Sequence, residues 1–243
     1  MRVRRGSVMT GAVVVALLAA VAGWASGESA RLARAPCFPA AAHAKLVHFG
    51  TRDGLRLAGF ELGSGRRGVV LAHQYLGDAC QWGSYGASLA RSGYHVVAFD
   101  FRGFGRSPVG PGKLDLDVLA AAAELRRLGA RKVVLIGASM GGTAVLVAAP
   151  EMKPPPAAVV SLSGPASFAL ISALDAVPRS AMPKLFAVGA KDFQFAADAR
   201  DLYRRARSPK RLLVVPTGDH GVALLDHAQV TRAIDRVLRD AFG

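Results

Sequence analysis

Lys132-Val133-Val134-Leu135-Ile136-Gly137-Ala138-Ser139-Met140-Gly141-Gly142-Thr143 is the stretch whose reading decides the fold. Residues 132–138 form a short β-branched run of strand type, and residues 140–150 read as helix. Between them Gly137-Ala138-Ser139-Met140-Gly141 sets a serine at the apex of a strand-to-helix turn. Such a turn holds the serine in a strained backbone conformation, and a side chain at either flanking glycine would collide with a crossing strand or helix. The hydroxyl is then presented at the carboxyl end of a sheet, where open α/β sheets bind ligands, with a helix N-terminus behind it to face a developing oxyanion. The competing reading is a glycine-rich turn that merely packs closely, and the neighbouring elements decide between the two.

Outward from that turn, apolar β-branched runs alternate with longer segments of helical period, the pattern of a parallel sheet covered by helices on both faces. Strands are expected at 45–51, 55–62, 68–73, 94–100, 132–138, 157–163, 184–189 and 211–215, eight in all, the first two forming a hairpin around Arg52-Asp53-Gly54. Helices are expected at 80–92, 114–128, 140–150, 195–206 and 222–240. Only residues 164–183 are available for a cap over the site, with 168–174 as one short helix.

A serine hydroxyl needs a base to take its proton, usually a neutral histidine oriented by a carboxylate. Asp192 follows the seventh strand and His220 follows the eighth, so both fall at the same sheet edge as Ser139 and in the order acid then histidine. Taken singly, Asp192 reads as a helix-capping aspartate and His220 as a loop histidine beside Asp219. Three such residues at successive strand ends argue for chemistry. The loop after the third strand, Ala72-His73-Gln74-Tyr75-Leu76-Gly77-Asp78, is expected to give one oxyanion donor, the Tyr75 amide, while Met140 gives the other. His73 shapes that loop by hydrogen bonding. Gln74, Leu76, Phe168, Ile171, Phe193 and Val222 are expected to wall an apolar substrate pocket. The loop Asp100-Phe101-Arg102-Gly103-Phe104-Gly105-Arg106-Ser107 is read as structural, tied by an Asp100–Arg102 ion pair and backbone hydrogen bonds. No histidine or cysteine spacing suggests a metal site.

With His73-Gln74, the Asp100 loop, the Gly137–Gly142 turn, Asp192 and His220 in place, residues 45–243 resemble the α/β-hydrolase superfamily. The short cap interval is similar to that of its compact dienelactone-hydrolase-like and small-esterase members. That resemblance implies an eight-stranded, mostly parallel sheet with a minimal cap, a Ser-Asp-His triad and no cofactor. Two departures stand out. Gln74 occupies a position where many members carry glycine, and the nucleophile is serine where dienelactone hydrolases use cysteine.

The flanks set the setting. Arg2, Arg4 and Arg5 precede an uncharged apolar run over residues 8–22, which reads as an export signal over residues 1–27 or as an N-terminal membrane anchor, with cleavage after Ala22 or Gly27. Residues 28–44, rich in Ala, Arg and Pro, read as a linker. Cys37 and Cys80, the only cysteines, fit one disulfide in an exported protein, and two buried free thiols are the other reading. The hydrophobic fraction of 51% rules out wholesale disorder. The net charge of +14 is spread in short groups without interleaved aromatics, which argues against a nucleic-acid partner and is compatible with loose attraction to an anionic cell envelope. The expected function is an exported serine hydrolase cleaving small to medium carboxylic esters through an acyl-enzyme. The other readings are a non-catalytic ligand-binding relative, or a peptidase or acyltransferase using the same three residues.

Overall fold

The computed structural model describes residues 37–243; the expected signal or anchor and most of the expected linker lie outside the described residues. An eight-stranded sheet is formed by β1 (Lys45–Gly50), β2 (Arg56–Leu62), β3 (Arg67–Ala72), β4 (His95–Phe99), β5 (Lys132–Ala138), β6 (Ala158–Leu162), β9 (Lys184–Gly189) and β10 (Lys210–Val215). Its order is β1-β2-β4-β3-β5-β6-β9-β10. Every neighbouring pair from β4 to β10 is parallel, and β2 is antiparallel to both β1 and β4. The helices are α1 (Gly83–Arg91), α2 (Leu114–Arg127), α3 (Met140–Ala148), the single turn α4 (Ala173–Ala176), α5 (Phe193–Arg205) and α6 (Ala228–Phe242).

The strand periodicity of two explains why both sheet faces are apolar. Val70, Val133 and Leu135 belong to one core with Val118 and Leu125 of α2 and Val145 of α3. Val69, Leu71, Val134 and Ile136 belong to the other, with Trp82, and with Ile234 and Leu238 of α6. Successive side chains of a strand point to opposite faces, so strands apolar throughout require helices on both sides. The centre of the sheet is therefore rigid, and the carboxyl ends of β3, β5, β6, β9 and β10 are fixed relative to one another.

Several expectations are corrected. Residues 37–44, expected in an unstructured linker, pack onto the domain: Phe38 is buried with its ring 5.0 Å from that of Phe60, and Ala40–Ala42 forms a 3-10 turn. As expected, Cys37 and Cys80 are disulfide-bonded, their Cα atoms 4.7 Å apart, and this tethers the segment. The cap does not contain a helix over 168–174. Ser167–Phe168 (β7) and Ile171–Ser172 (β8) pair as a minute hairpin, and helix begins only at Ala173. Ala169 at φ 46° makes the reversal, which interrupts any helix through 168–174. The last helix starts at Ala228 and not at 222, because Gly221–Asp226 winds as a 3-10 turn. Finally, Asp100 and Arg102 do not pair. Asp100 is wholly buried and accepts from the Ala79 amide at 2.7 Å and the Arg106 amide at 2.8 Å, while Arg102 turns away to Asp117 at 2.6 Å and Asp53 at 2.8 Å.

Candidate active site

Ser139 sits between β5 and α3 at φ 48° and ψ −117°, a conformation that L-residues rarely adopt and that costs of order 1–3 kcal/mol. The surroundings hold it there. Its amide donates to the Leu162 carbonyl at 2.8 Å, and its carbonyl accepts from the Thr143 amide at 3.1 Å. A Cβ at Gly137 would lie 2.2 Å from the Gly141 carbonyl oxygen, and one at Gly141 would lie 2.2 Å from that of Ala72. Both glycines are thus required by close approach, Gly141 by the end of β3 and Gly137 by the first turn of α3.

His220 follows β10, and its Nδ1 lies 2.8 Å from Asp192 Oδ2. Asp192 occupies the N-cap position of α5, yet its side chain makes no capping bond. The capping reading therefore fails for this residue, whose carboxylate is given to the histidine. Asp219, the other carboxylate beside His220, accepts from Thr217 Oγ1 at 2.8 Å and pairs with His227 Nε2 at 2.6 Å. These two partners hold the Asp219 carboxyl below the usual range, the His227 bond first. The histidine loop meets the serine turn directly: a Cβ on Gly221 would be 3.6 Å from that of Ala138. His220 is not hydrogen-bonded to Ser139 in this structure, and its ring packs tilted against Phe195 with centroids 4.2 Å apart.

The loop after β3 is braced from two sides. His73 is fully buried, its Nδ1 2.8 Å from the Gln74 carbonyl and its Nε2 accepting from the Phe101 amide at 3.1 Å. An acceptor role at Nε2 requires the proton on Nδ1, and burial lowers the pKa, favouring this neutral form. Gln74 donates its amide to Gln81 Oε1 at 3.2 Å and accepts the Val222 amide on its own Oε1 at 3.1 Å. Its side chain therefore spans to the histidine loop and does not face a pocket. The Tyr75 amide and the Met140 amide have no acceptor among the described residues.

Beside Met140 lies a cavity of about 260 Å³ lined by Tyr75, Phe104, Leu114, Phe168 and Ile171, with Lys113 and Arg102 also on its wall. Of the residues expected to wall a pocket, Phe168 and Ile171 do so. Gln74 and Val222 instead join two loops, and Leu76 and Phe193 point to solvent, 82% and 79% exposed. Phe104 and Leu114 line the cavity without having been singled out from sequence, and Phe195, likewise not singled out, packs against His220. Phe104 follows the carboxyl end of β4, and that position was the available signal.

The serine turn and the central strands β4 to β6 lie within a segment, residues 69–207, that matches the profile of the alpha/beta hydrolase fold. The chain belongs to the α/β-hydrolase family. The hydrolase is 30% identical over 219 residues to the protein Rv2307c of Mycobacterium tuberculosis, covering 78% of this chain and 77% of the relative. Among solved structures it resembles the esterase Pf2001 of Pyrococcus furiosus, with a TM-score of 0.68 at 18% identity, covering 81% of this chain and 90% of that one. It also resembles the enol-lactonase of Burkholderia xenovorans, with a TM-score of 0.68 at 14% identity, covering 79% and 100%. At these identities the two structures speak for the hydrolase fold alone.

Proposed function

We propose that this hydrolase is an exported serine carboxylesterase that cleaves esters of short to medium acyl groups through an acyl-enzyme. The observation that carries the reading is the 2.8 Å contact between His220 Nδ1 and Asp192 Oδ2, in a loop packed against the strained Ser139 turn. A carboxylate on Nδ1 fixes the proton there and leaves Nε2 as the basic nitrogen. His220 takes the Ser139 proton as Oγ attacks the ester carbonyl. The Tyr75 and Met140 amides, both without acceptors among the described residues, hold the oxyanion. Imidazolium then protonates the departing alkoxide, and a water deprotonated by the same nitrogen releases the acid.

The apolar cavity beside Met140 receives the acyl chain, and its volume of about 260 Å³ favours small groups. Export is supported by the Cys37–Cys80 disulfide, since such bonds persist in oxidising compartments. A fluorophosphonate probe tests the assignment. Labelling of the wild type that disappears in Ser139→Ala supports it, and an unlabelled wild type refutes serine catalysis. A p-nitrophenyl ester series then reads the cavity, with rates expected to fall for long acyl chains. Added alcohol with product analysis separates hydrolysis from acyl transfer.

A further inference from the structure

Among the described residues six large hydrophobic side chains are exposed, and five of them lie in loops or at a helix start following the carboxyl ends of strands. Tyr75 and Leu76 follow β3, Val109 follows β4, Leu170 forms the tip of the β7–β8 hairpin, and Phe193 follows Asp192. They are between 52% and 87% exposed. The sixth, Leu46, lies on the edge strand β1. The five cluster around the cavity mouth and the proposed triad: Tyr75 and Leu170 line the cavity, Val109 precedes the lining residue Gly110, the Tyr75 ring lies 5.6 Å from that of Phe168, Leu76 follows Tyr75, and Phe193 follows Asp192. Exposed apolar side chains grouped around one opening mark a contact with something other than water.

The charges around the rim identify what that contact is. Residues 37–243 carry 26 basic and 16 acidic side chains, a net +10. Lys113 on the cavity wall and Lys191 beside Phe193 have no carboxylate partner among the described residues. Three nearby carboxylates are engaged by protein donors, Asp192 by His220, Asp198 by the Ala166 amide at 3.1 Å, and Asp219 by His227. Cationic side chains, Lys113 and Lys191, thus stand beside the exposed apolar tips. A protein seated on them would stopper the cavity, whereas a lipid surface would meet the apolar tips, attract the lysines and supply esters to the opening.

We infer that this rim docks the enzyme on an anionic lipid surface, with the cavity facing the lipid, so that its substrates are esters presented at that surface. The substrate part of this inference rests on the esterase reading; the docking does not, and it is measured without turnover. Hydrogen exchange of the full chain, with and without vesicles containing phosphatidylglycerol, reads the rim locally, whatever residues 1–36 do. Amides of residues 74–78, 104–110 and 167–172 should exchange about tenfold more slowly with anionic vesicles, less so with phosphatidylcholine alone or in high salt. The variant Leu76→Asn/Val109→Ser/Phe193→Ser, none of which lines the cavity, should lose that protection while hydrolysing soluble p-nitrophenyl acetate at the wild-type rate. Unchanged exchange in the wild type, or equal protection in the variant, overturns the docking. Rim protection that rises with protein concentration in the absence of vesicles also overturns it, in favour of a second copy of the chain. Protection together with failure of fluorophosphonate labelling would keep the docking and remove the esterase reading.

Discussion

Gln74 joins the two loops that the proposed reaction must hold in register. Its backbone belongs to the loop whose next amide, that of Tyr75, is the proposed oxyanion donor, and its Oε1 accepts the Val222 amide two residues after His220. Glycine at this position would leave that amide without its acceptor, and the side chain also fills the space in front of Gly221, where a Cβ would come 2.2 Å from Oε1. The strut acts through geometry, so its loss should reduce turnover more than binding. Gln74→Ala is expected to lower kcat about ten- to a hundredfold with little change in KM, because small misplacements of reacting groups cost that much. Gln74→Glu keeps the acceptor for Val222 and should recover most of kcat. It also sets a carboxylate near the histidine loop, which favours imidazolium and moves the acid limb of the kcat/KM profile to higher pH. An unmoved limb together with an unrecovered kcat would show that the side chain serves folding alone. Asp192→Asn tests the same histidine from its other side: the proton no longer stays on Nδ1, and kcat should fall by about 10⁴.

At the scale of elements, the carboxyl end of β3 and the first turn of α3 approach so closely at Gly141 that only hydrogen fits. Gly141→Ala should push Ala72 and His73 away from α3, costing about 1–3 kcal/mol of stability and displacing the oxyanion loop, with urea unfolding and turnover falling together. Arg102 ties three further elements, since it bridges Asp53 in the β1–β2 turn to Asp117 in α2 and also donates to the Pro111 carbonyl. The Arg102 guanidinium, with help from Thr51, holds the Asp53 carboxyl down from 3.8 to about 2. A folded-state value below the unfolded one means that ionised Asp53 favours the fold above about pH 4, and that this contribution fades as pH falls toward 2. Thermal unfolding between pH 5 and 2.5 should accordingly show a steeper acid loss in the wild type than in Asp53→Asn. This network was not legible in the sequence, because Asp53 and Arg102 are 49 residues apart and meet only through the order β1-β2-β4. By contrast the eight strands were legible: the buried parallel strands are runs of Val, Ile, Leu and Ala that leave no polar face to confuse the pattern, and the antiparallel pair β1–β2 alternates around the Arg52-Asp53-Gly54 turn. The β7–β8 hairpin was not, because two-residue strands are too short to show a period.

For the molecule as a whole, the Ser139 turn and the strand-end positions of Asp192 and His220 could be read locally, whereas the cavity could not. Its walls come from the loops after β3 and β4, the start of α2 and the cap hairpin, and only the packed sheet decides which of those residues face inward. The N-terminal boundary had a similar fate. Residues 37–44 have no periodicity to announce a fold, and what fixes them is the long-range bond from Cys37 to Cys80, 43 positions along the chain. Closing a loop of that length removes denatured-state entropy worth about 4 kcal/mol, a large share of the stability of one domain. Cys37→Ser/Cys80→Ser should therefore lower the urea midpoint markedly, and a reducing agent should bring the wild type down to the same value while leaving the variant unchanged. Catalysis should respond differently. The 3-10 turn Ala79–Trp82 that carries Cys80 is held independently by Asp100 on the Ala79 amide and by Asp78 on the Cys80 amide at 2.9 Å, and Gln81 reaches the Gln74 amide without passing through the bridge. Turnover per folded molecule should consequently stay within about twofold of wild type well below the unfolding temperature. A large drop in kcat at a temperature where the variant remains folded would mean that the disulfide, and not Asp100, positions the oxyanion loop.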